Sequence, residues 1–332
     1  MVRFVRRYGR WFLTAAILVF LVMFARRVDW ASAWTAMRGA SPALLVAAFV
    51  ANVASLLVRA VRWWVFLRPA GATSLSLALR ASIAGAALNN LVLAQGGEAA
   101  RVVFVSRASG VPSARVLATL ALERLFDAVA FVGLLAYGTF MLALPANMQR
   151  LRVPAAVVLF VLFVLLYVFV YLTRGRTLEV AAEASAEIAA GPSTLLGHGR
   201  RYVSRFAASA SALATGPRFI AATLLSLVAW VGQLYTYHWC AVATGISLPV
   251  AASLAALLAS NIGFLLRATP GGVGVFQVIY AVTVAQFGVE QDSAIAASLL
   301  IQTLQILPLT LAGGLLAPEF LFRRRYSKKQ PD

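Results

Sequence analysis

The ionisable side chains of one apolar stretch are the first candidates for chemistry in this sequence. They follow Asn89 and Asn90, and they are Glu98, Arg101, Glu123, Arg124 and Asp127. Charged groups at membrane depth are costly, so they commonly pair with one another and mark functional sites. Spacings of three or four residues let Glu98 share a helical face with Arg101, and Asp127 share one with Glu123 and Arg124. The cluster is therefore either a buried ion-pair network that locks two helices or a site for a charged ligand.

A phosphate is the ligand that these residue types would suit. Arg101 and Arg124 could each make the bidentate contacts that guanidinium groups form with phosphate. The carboxylates would then hold the guanidinium groups or an amino head group. The pair Gly96-Gly97 could direct backbone N–H groups at the same anion, or it could serve only close helix packing.

A second interrupted apolar segment follows Arg267 and reads Pro270-Gly271-Gly272-Val273-Gly274, with Gln277 just beyond. Paired interruptions of this kind, one in each half of a chain, point to a binding site at the membrane midplane and to an internal repeat. The candidate substrate-binding residues are therefore Asn89, Asn90, Glu98, Arg101, Glu123, Arg124, Asp127, Arg267, Pro270, Gly271, Gly272, Gly274 and Gln277. We expect the five charged residues to border the same polar cavity as Pro270 to Gly274.

Composition decides the class of protein. The 332 residues are 61% hydrophobic and 12% charged, which is typical of an integral membrane protein. Several apolar runs approach the roughly 20 residues that a helix needs to cross a bilayer, whereas a β-barrel would need shorter alternating strands. We predict an all-α polytopic membrane protein with about eight transmembrane helices, a re-entrant segment near 75–97 and two pseudo-symmetric halves.

The predicted boundaries follow the apolar runs. Expected spans cover about 11–26, 42–66, 116–143, 153–173, 219–243, 250–266 and 293–317, with a glycine-broken segment at 268–289. The first membrane half is then 1–173 and the second is 219–322, joined by an amphipathic linker at 174–218 and followed by a basic tail at 323–332. The N-terminal run is expected to be an uncleaved span.

Arginine placement predicts orientation and excludes one class of partner. The net charge of +18 comes from basic residues at the ends of apolar runs, which indicates membrane topology and not nucleic-acid binding. Basic residues concentrate in the N-terminus, the linker and the tail, so both termini should be cytoplasmic in a bacterial inner membrane.

Enzyme and metal signals are weak. Cys240 is the only cysteine, and His198 and His238 have no ligand spacing between them, so neither a metal nor another cofactor is expected. Nothing in the sequence resembles a nucleophile elbow. A membrane-embedded transferase acting through Glu98 or Asp127 stays open as an alternative.

Three motifs in order carry a family resemblance. They are Gly97-Glu98-x-x-Arg101, Glu123-Arg124-x-x-Asp127 and Pro270-Gly271-Gly272-x-Gly274. Together they resemble the membrane domain of lysylphosphatidylglycerol synthases and its stand-alone, flippase-like relatives, over essentially the whole chain. Such relatives commonly carry Glu where this chain has Gln277. The resemblance implies binding or movement of a lipid or lipid-linked head group, and not aminoacyl transfer, since the bifunctional relatives carry a separate soluble domain for that reaction.

The expected function is therefore that of a flippase-like protein, which binds or translocates a polar, phosphate-bearing lipid across the inner membrane. Its expected partner is a membrane lipid with an anionic or lipid-linked head group. A non-transporting scaffold or accessory subunit of an envelope-lipid pathway is the first alternative, with the charged cluster as an interhelical lock. A lipid-modifying transferase in the membrane is the second.

Overall fold

The computed structural model describes residues 29–91, 96–142, 146–150, 216–264 and 270–322, with Arg26 and a few residues between 153 and 164. The regular elements in these residues are α-helices and one 3-10 turn, so the predicted all-α polytopic membrane fold is confirmed. The predicted span at 11–26, almost all of those at 153–173 and 174–218, and the tail at 323–332 lie outside the described residues.

The helices differ in whether they can cross a membrane. In chain order they are α1 (Trp30–Arg38), α2 (Pro42–Ala70), α3 (Leu75–Leu91), α4 (Gly96–Ser109), α5 (Ser113–Met141), α6 (Ala146–Gln149), α7 (Gly216–Ala243), α8 (Val250–Phe264), the 3-10 turn Pro270–Gly272, α9 (Val275–Ala285) and α10 (Gln291–Phe322). Among the described helices, α2, α7 and α10 are long and apolar enough to span. Helix α5 has 29 residues and contains Glu123, Arg124 and Asp127.

Helices α3 and α4 form a re-entrant hairpin. With 17 and 14 residues they are about 25 and 21 Å long, short of the roughly 30 Å of a hydrocarbon core. The hairpin opens beside the C-terminal end of α2. There α3 starts just after α2 ends, and the Trp64 indole N–H of α2 donates to the Thr73 carbonyl oxygen at 2.7 Å. The predicted re-entrant segment at 75–97 thus contains the first arm and the start of the returning arm α4, with 92–95 outside the described residues.

Helices α8 and α9 form a second hairpin. They have 15 and 11 residues, or about 22 and 17 Å, and the rings of Phe264 and Phe276 stack where the arms meet, with centroids 5.7 Å apart. The sequence predicts 250–266 as a separate span, and this prediction is wrong. Fifteen helical residues are too short to cross, so this segment and the broken segment at 268–289 are two arms of one hairpin.

The second hairpin opens at the opposite end of the molecule. There the Ser41 N–H donates to the Ala243 carbonyl oxygen at 2.9 Å, which joins the start of α2 to the end of α7. The Asp29 N–H donates to Asp292 Oδ1 at 3.2 Å, which places the start of α10 at the same end. Two hairpins that enter from opposite sides are the arrangement expected of an inverted repeat.

The tips of the two hairpins touch. Gly271 and Gly272 have φ values of +61° and +70°, a left-handed conformation that side chains disfavour. A Cβ atom on Gly271 would lie 3.5 Å from the Asn90 carbonyl oxygen, and one on Gly272 would collide with the Phe264 ring. Glycine therefore allows the second tip to turn tightly against the first.

Close packing of α2 against α7 holds the two parts of the molecule together. The Ser55 hydroxyl of α2 donates to the Ala229 carbonyl oxygen of α7 at 2.7 Å. Gly232 of α7 faces the backbone of α2, where a Cβ atom would lie 3.2 Å from the Ala51 carbonyl oxygen. Small residues thus let these helices approach closely, as they do in many membrane proteins.

The first hairpin also depends on a glycine contact, which generates a prediction. A Cβ atom on Gly97 would collide with the Gly85 carbonyl oxygen and the Asn89 amide. We expect Gly97→Ala to destabilise the protein by about 1–3 kcal/mol, since the two arms would have to separate. The thermal unfolding midpoint in detergent is the measurement. Gly133→Ala in α5 is the matched control, because its Cβ atom would meet no atom within 4 Å. Equal midpoints for the two variants would contradict this packing.

Candidate functional site

The charged residues predicted from sequence meet in one ion-pair network, which Arg62 of α2 completes. Arg62 is fully buried, and its Nη2 lies 2.8 Å from Asp127 Oδ1 and 3.8 Å from Glu123 Oε1. Arg101 Nη2 donates to Glu123 Oε2 at 2.8 Å. The Arg101 guanidinium also lies over the Trp63 ring, 3.9 Å from its centroid. The network therefore ties α2, α4 and α5 together.

An outer pair extends this network toward the surface of the described residues. Arg124 Nη2 pairs with Glu98 Oε1, and Arg124 Nη1 lies 3.8 Å from Asp127 Oδ2. The Arg124 side chain is 56% exposed, in contrast to the buried Arg62. Three guanidinium groups thus face three carboxylates, so the network has no net charge with which to attract an ion.

The balance of charges helps to decide between the two roles left open by the sequence, an interhelical lock and a site for a charged ligand. A buried, paired network contributes little net stability, but removing one partner is costly because it leaves an uncompensated charge. The geometry therefore favours the interhelical lock for these residues. Their predicted role as substrate ligands stays a prediction.

A separate polar cavity of about 390 Å³ lies where the hairpin tips meet α2, α7 and α10. Its polar lining consists of Asn52, Ser55, Arg59, Asn89, Asn90, Gln233, Gln302 and Gln305, together with the backbone of Gly271 and Gly272. Phe264 and Phe276 supply an apolar wall. The cavity combines an apolar surface with several convergent polar groups, which is typical of a small-molecule or head-group site.

Hydrogen bonds of side-chain amides fix the shape of the second tip. Gln302 Nε2 donates to the Gly271 carbonyl oxygen at 2.9 Å, and Gln302 Oε1 accepts from Gln277 Nε2. Gln277 Oε1 in turn accepts from the Gly274 N–H at 2.7 Å. Gln277 is buried and neutral, and it supports the turn that begins at Pro270.

The first tip is held in a similar way. Asn89 Oδ1 accepts from the Gly97 N–H at 2.9 Å, across the hairpin. Asn89 also lines the cavity, while Gly85 on the same helix contacts the aliphatic part of Arg101. The α3–α4 hairpin is therefore the physical link between the ion-pair network and the cavity.

Arg59 is the charged group that lines this cavity among the described residues. Its Nη2 donates to Gln233 Oε1, and its guanidinium lies 5.6 Å from the centroid of the Trp230 ring. No carboxylate in the described part of the chain pairs with it. Its Nε is buried without a hydrogen-bond partner. The Arg59 side chain thus brings a guanidinium without an ion-pair partner among the described residues to the wall of the cavity.

The sequence predicts that the five charged residues border the same cavity as Pro270 to Gly274, and the structure corrects this expectation. Asn89, Asn90, Gly271 and Gly272 line the cavity, whereas its described lining contains none of the five charged residues. The reason is that Glu98 and Arg101 lie on the returning arm α4, and their side chains pair with α5. Arg267 lies outside the described residues.

Sequence reasoning missed Arg59 and Arg62. Both lie inside the predicted span at 42–66, so the rule that selected Glu98 and Asp127, charge at membrane depth, also applies to them. They occupy positions three residues apart on α2, and they serve different sites. Arg62 completes the ion-pair network, and Arg59 faces the cavity.

The ion-pair network generates a prediction about stability. Arg62→Leu should cost about 3–5 kcal/mol, because it leaves Asp127 and Glu123 with too few cations. Adding Asp127→Asn to that variant should recover part of the loss, since the excess negative charge is removed. Thermal unfolding in detergent measures both effects. Arg68→Gln is the control, as Arg68 lies exposed near the end of the same helix. A double variant less stable than Arg62→Leu would contradict the lock.

Comparison with known proteins places these features in a family. The description "Lysylphosphatidylglycerol synthase TM region" matches residues 11–313, which include both hairpins. The UPF0104 membrane protein PH1989 of Pyrococcus horikoshii is 26% identical over 281 residues, which cover 79% of this chain and 82% of that protein. The resemblance inferred from the three motifs is thereby confirmed. This chain belongs to the family of the lysylphosphatidylglycerol synthase transmembrane region, and it is a multi-pass membrane protein.

Proposed function

We propose that this protein binds a polar lipid by its anionic head group in the Arg59 cavity and moves it between the leaflets of the membrane. The observation that carries the proposal is the Arg59 guanidinium, which faces a polar cavity with no paired carboxylate among the described residues. Arginine is well suited to phosphate, because it offers several donors in one plane. A lipid phosphate would supply an anionic partner for this guanidinium.

The position of the cavity also supports this proposal. It lies where two half-length hairpins from opposite ends meet, which is where transporters with broken helices bind their substrates. Its volume of about 390 Å³ is within the range of about 300–1,000 Å³ for ligand pockets. A phosphate-bearing head group fits such a space, while the acyl chains would stay in the bilayer.

Charge at the two ends of the molecule supports a topology for this site. The end at which the α3–α4 hairpin opens carries the basic residues Arg68, Arg107, Arg115 and Arg218. The other end carries Asp29, Glu290 and Asp292 beside Arg26, Arg38 and Arg150. By the positive-inside rule, the first hairpin opens to the cytoplasm and the second to the outer side of the inner membrane.

A non-transporting scaffold is the second candidate, and one observation favours it. The motif residues Glu98, Arg101 and Asp127 belong to a charge-balanced network, as an interhelical lock requires. In that case substitutions in the cavity would leave lipid distribution unchanged. Substitutions in the network would lower the amount of protein in the membrane under either candidate, so the cavity variants decide between them.

The proposal predicts that Arg59 is needed for lipid movement. In vesicles with purified protein, Arg59→Gln should slow the transbilayer movement of acyl-labelled phosphatidylglycerol by at least roughly tenfold, as expected when a hydrogen-bonded charge contact is lost. A quencher added outside the vesicles reports the label that reaches the outer leaflet.

Arg68→Gln is the matched control, since it removes the same charge from an exposed position of the same helix. The unfolding midpoint of each variant separates a folding defect from a transport defect. Wild-type protein that moves lipid no faster than protein-free vesicles would refute transport. Equal rates for wild type and Arg59→Gln would refute the role of the cavity.

A further inference from the structure

We infer that the cavity selects lipids whose head group is a net anion and discriminates against head groups that carry an ammonium, including aminoacylated phosphatidylglycerol. This inference rests on the proposed function and specifies its substrate class. It depends on three observations, which are the absence of carboxylates from the described cavity lining, the charge of Arg59 and the hydrogen bonds that three amide oxygens of the lining already accept.

Carboxylates that could neutralise an ammonium are absent from the described cavity lining. Three acidic residues at membrane depth, Glu98, Glu123 and Asp127, pair with arginines of the network. The segments that connect the hairpin arms, 92–95 and 265–269, contain no Asp or Glu, and the second contains Arg267.

Other described acidic residues lie away from the cavity lining. Asp29, Glu290 and Asp292 are at the end of the molecule where the second hairpin opens. Glu319 is 17 residues from Gln302 along α10, or about 25 Å of helix. The remaining acidic residues of the sequence, Glu179, Glu183, Glu187 and Asp332, are outside the described residues.

Three amide oxygens of residues that line the cavity already accept hydrogen bonds within the protein. Gln233 Oε1 accepts from Arg59, and Gln302 Oε1 accepts from Gln277. Asn89 Oδ1 accepts from the Gly97 N–H. An ammonium carries only donors and would have to share these oxygens, whereas phosphate oxygens would accept from the Arg59 guanidinium.

Electrostatic repulsion also disfavours a head group that carries an ammonium. An ammonium in a cavity of this size would lie close to the Arg59 guanidinium, and like charges at short distance repel each other. A phosphodiester without an ammonium would instead form a charge-assisted contact. The cavity therefore favours phosphatidylglycerol over its lysyl ester, although both carry the same phosphate.

Competition binding of the purified protein tests this inference. Acyl-labelled phosphatidylglycerol in detergent micelles is displaced by unlabelled phosphatidylglycerol or by lysylphosphatidylglycerol. We expect phosphatidylglycerol to compete at least roughly tenfold better, the fold-change expected for one charged hydrogen bond. Transbilayer movement of the two labelled lipids in phosphatidylcholine vesicles should show the same order.

Two near-isosteric variants test the effect of charge on this preference. Gln233→Glu keeps the acceptor that Arg59 uses and adds a negative charge beside it, so the preference should fall to less than about threefold. Gln305→Glu adds a carboxylate from a different helix and should reduce the preference as well. Gln291→Glu is the matched control, since the same change at the exposed start of α10 should leave the preference intact.

The outcomes separate this inference from the proposed function. Equal competition by the two lipids, or better competition by the lysyl lipid, overturns the selectivity and leaves lipid binding standing. A full preference in both Gln233→Glu and Gln305→Glu also overturns it, because Arg59 would not be its source. If wild-type protein binds and moves neither lipid, the proposed function fails and this inference fails with it.

Discussion

Polar groups at membrane depth must be satisfied inside the protein, because the bilayer core offers no water, and most of this structure follows from that constraint. Two hairpins end in the interior of the protein. Non-helical backbone in contact with lipid would leave polar groups without hydrogen bonds, which is costly. The hairpins are stable because each tip packs against the other and against α2 and α10, with the amides of Asn89, Gln277 and Gln302 bonding to each other or to turn backbone. The cavity is what remains where these tips meet.

The same constraint gives two arginines of one helix different roles. Arg62 is buried beside Asp127 and Glu123 and completes a network of three cations and three carboxylates. Arg59, one turn earlier, has a glutamine and an aromatic ring as its neighbours. A balanced network holds helices in place, whereas a guanidinium without an ion-pair partner suits the proposed anionic head group. The lock and the proposed binding site thus use arginines three positions apart.

Membership of the lysylphosphatidylglycerol synthase transmembrane-region family agrees with a lipid-related role. Hairpins that open at opposite ends would suit the proposed movement of a head group between the two sides. The motif residues of the first half are linked to the cavity indirectly. They fix the α3–α4 hairpin through Arg101 and Glu98, and that hairpin carries Asn89 and Asn90 to the cavity.

The sequence by itself determined the class of protein, the family, most of the helices and the importance of the two glycine-rich interruptions, because apolar run length and charge at depth are local properties. It also predicted that Glu98, Arg101, Glu123, Arg124 and Asp127 would associate. Only the tertiary structure decided that α8 and α9 form one hairpin, that Arg62 joins the network and that Arg59 faces the cavity. These facts depend on which helix faces pack together, and spacing along the chain does not record the direction in which a guanidinium group points across α2 and α7.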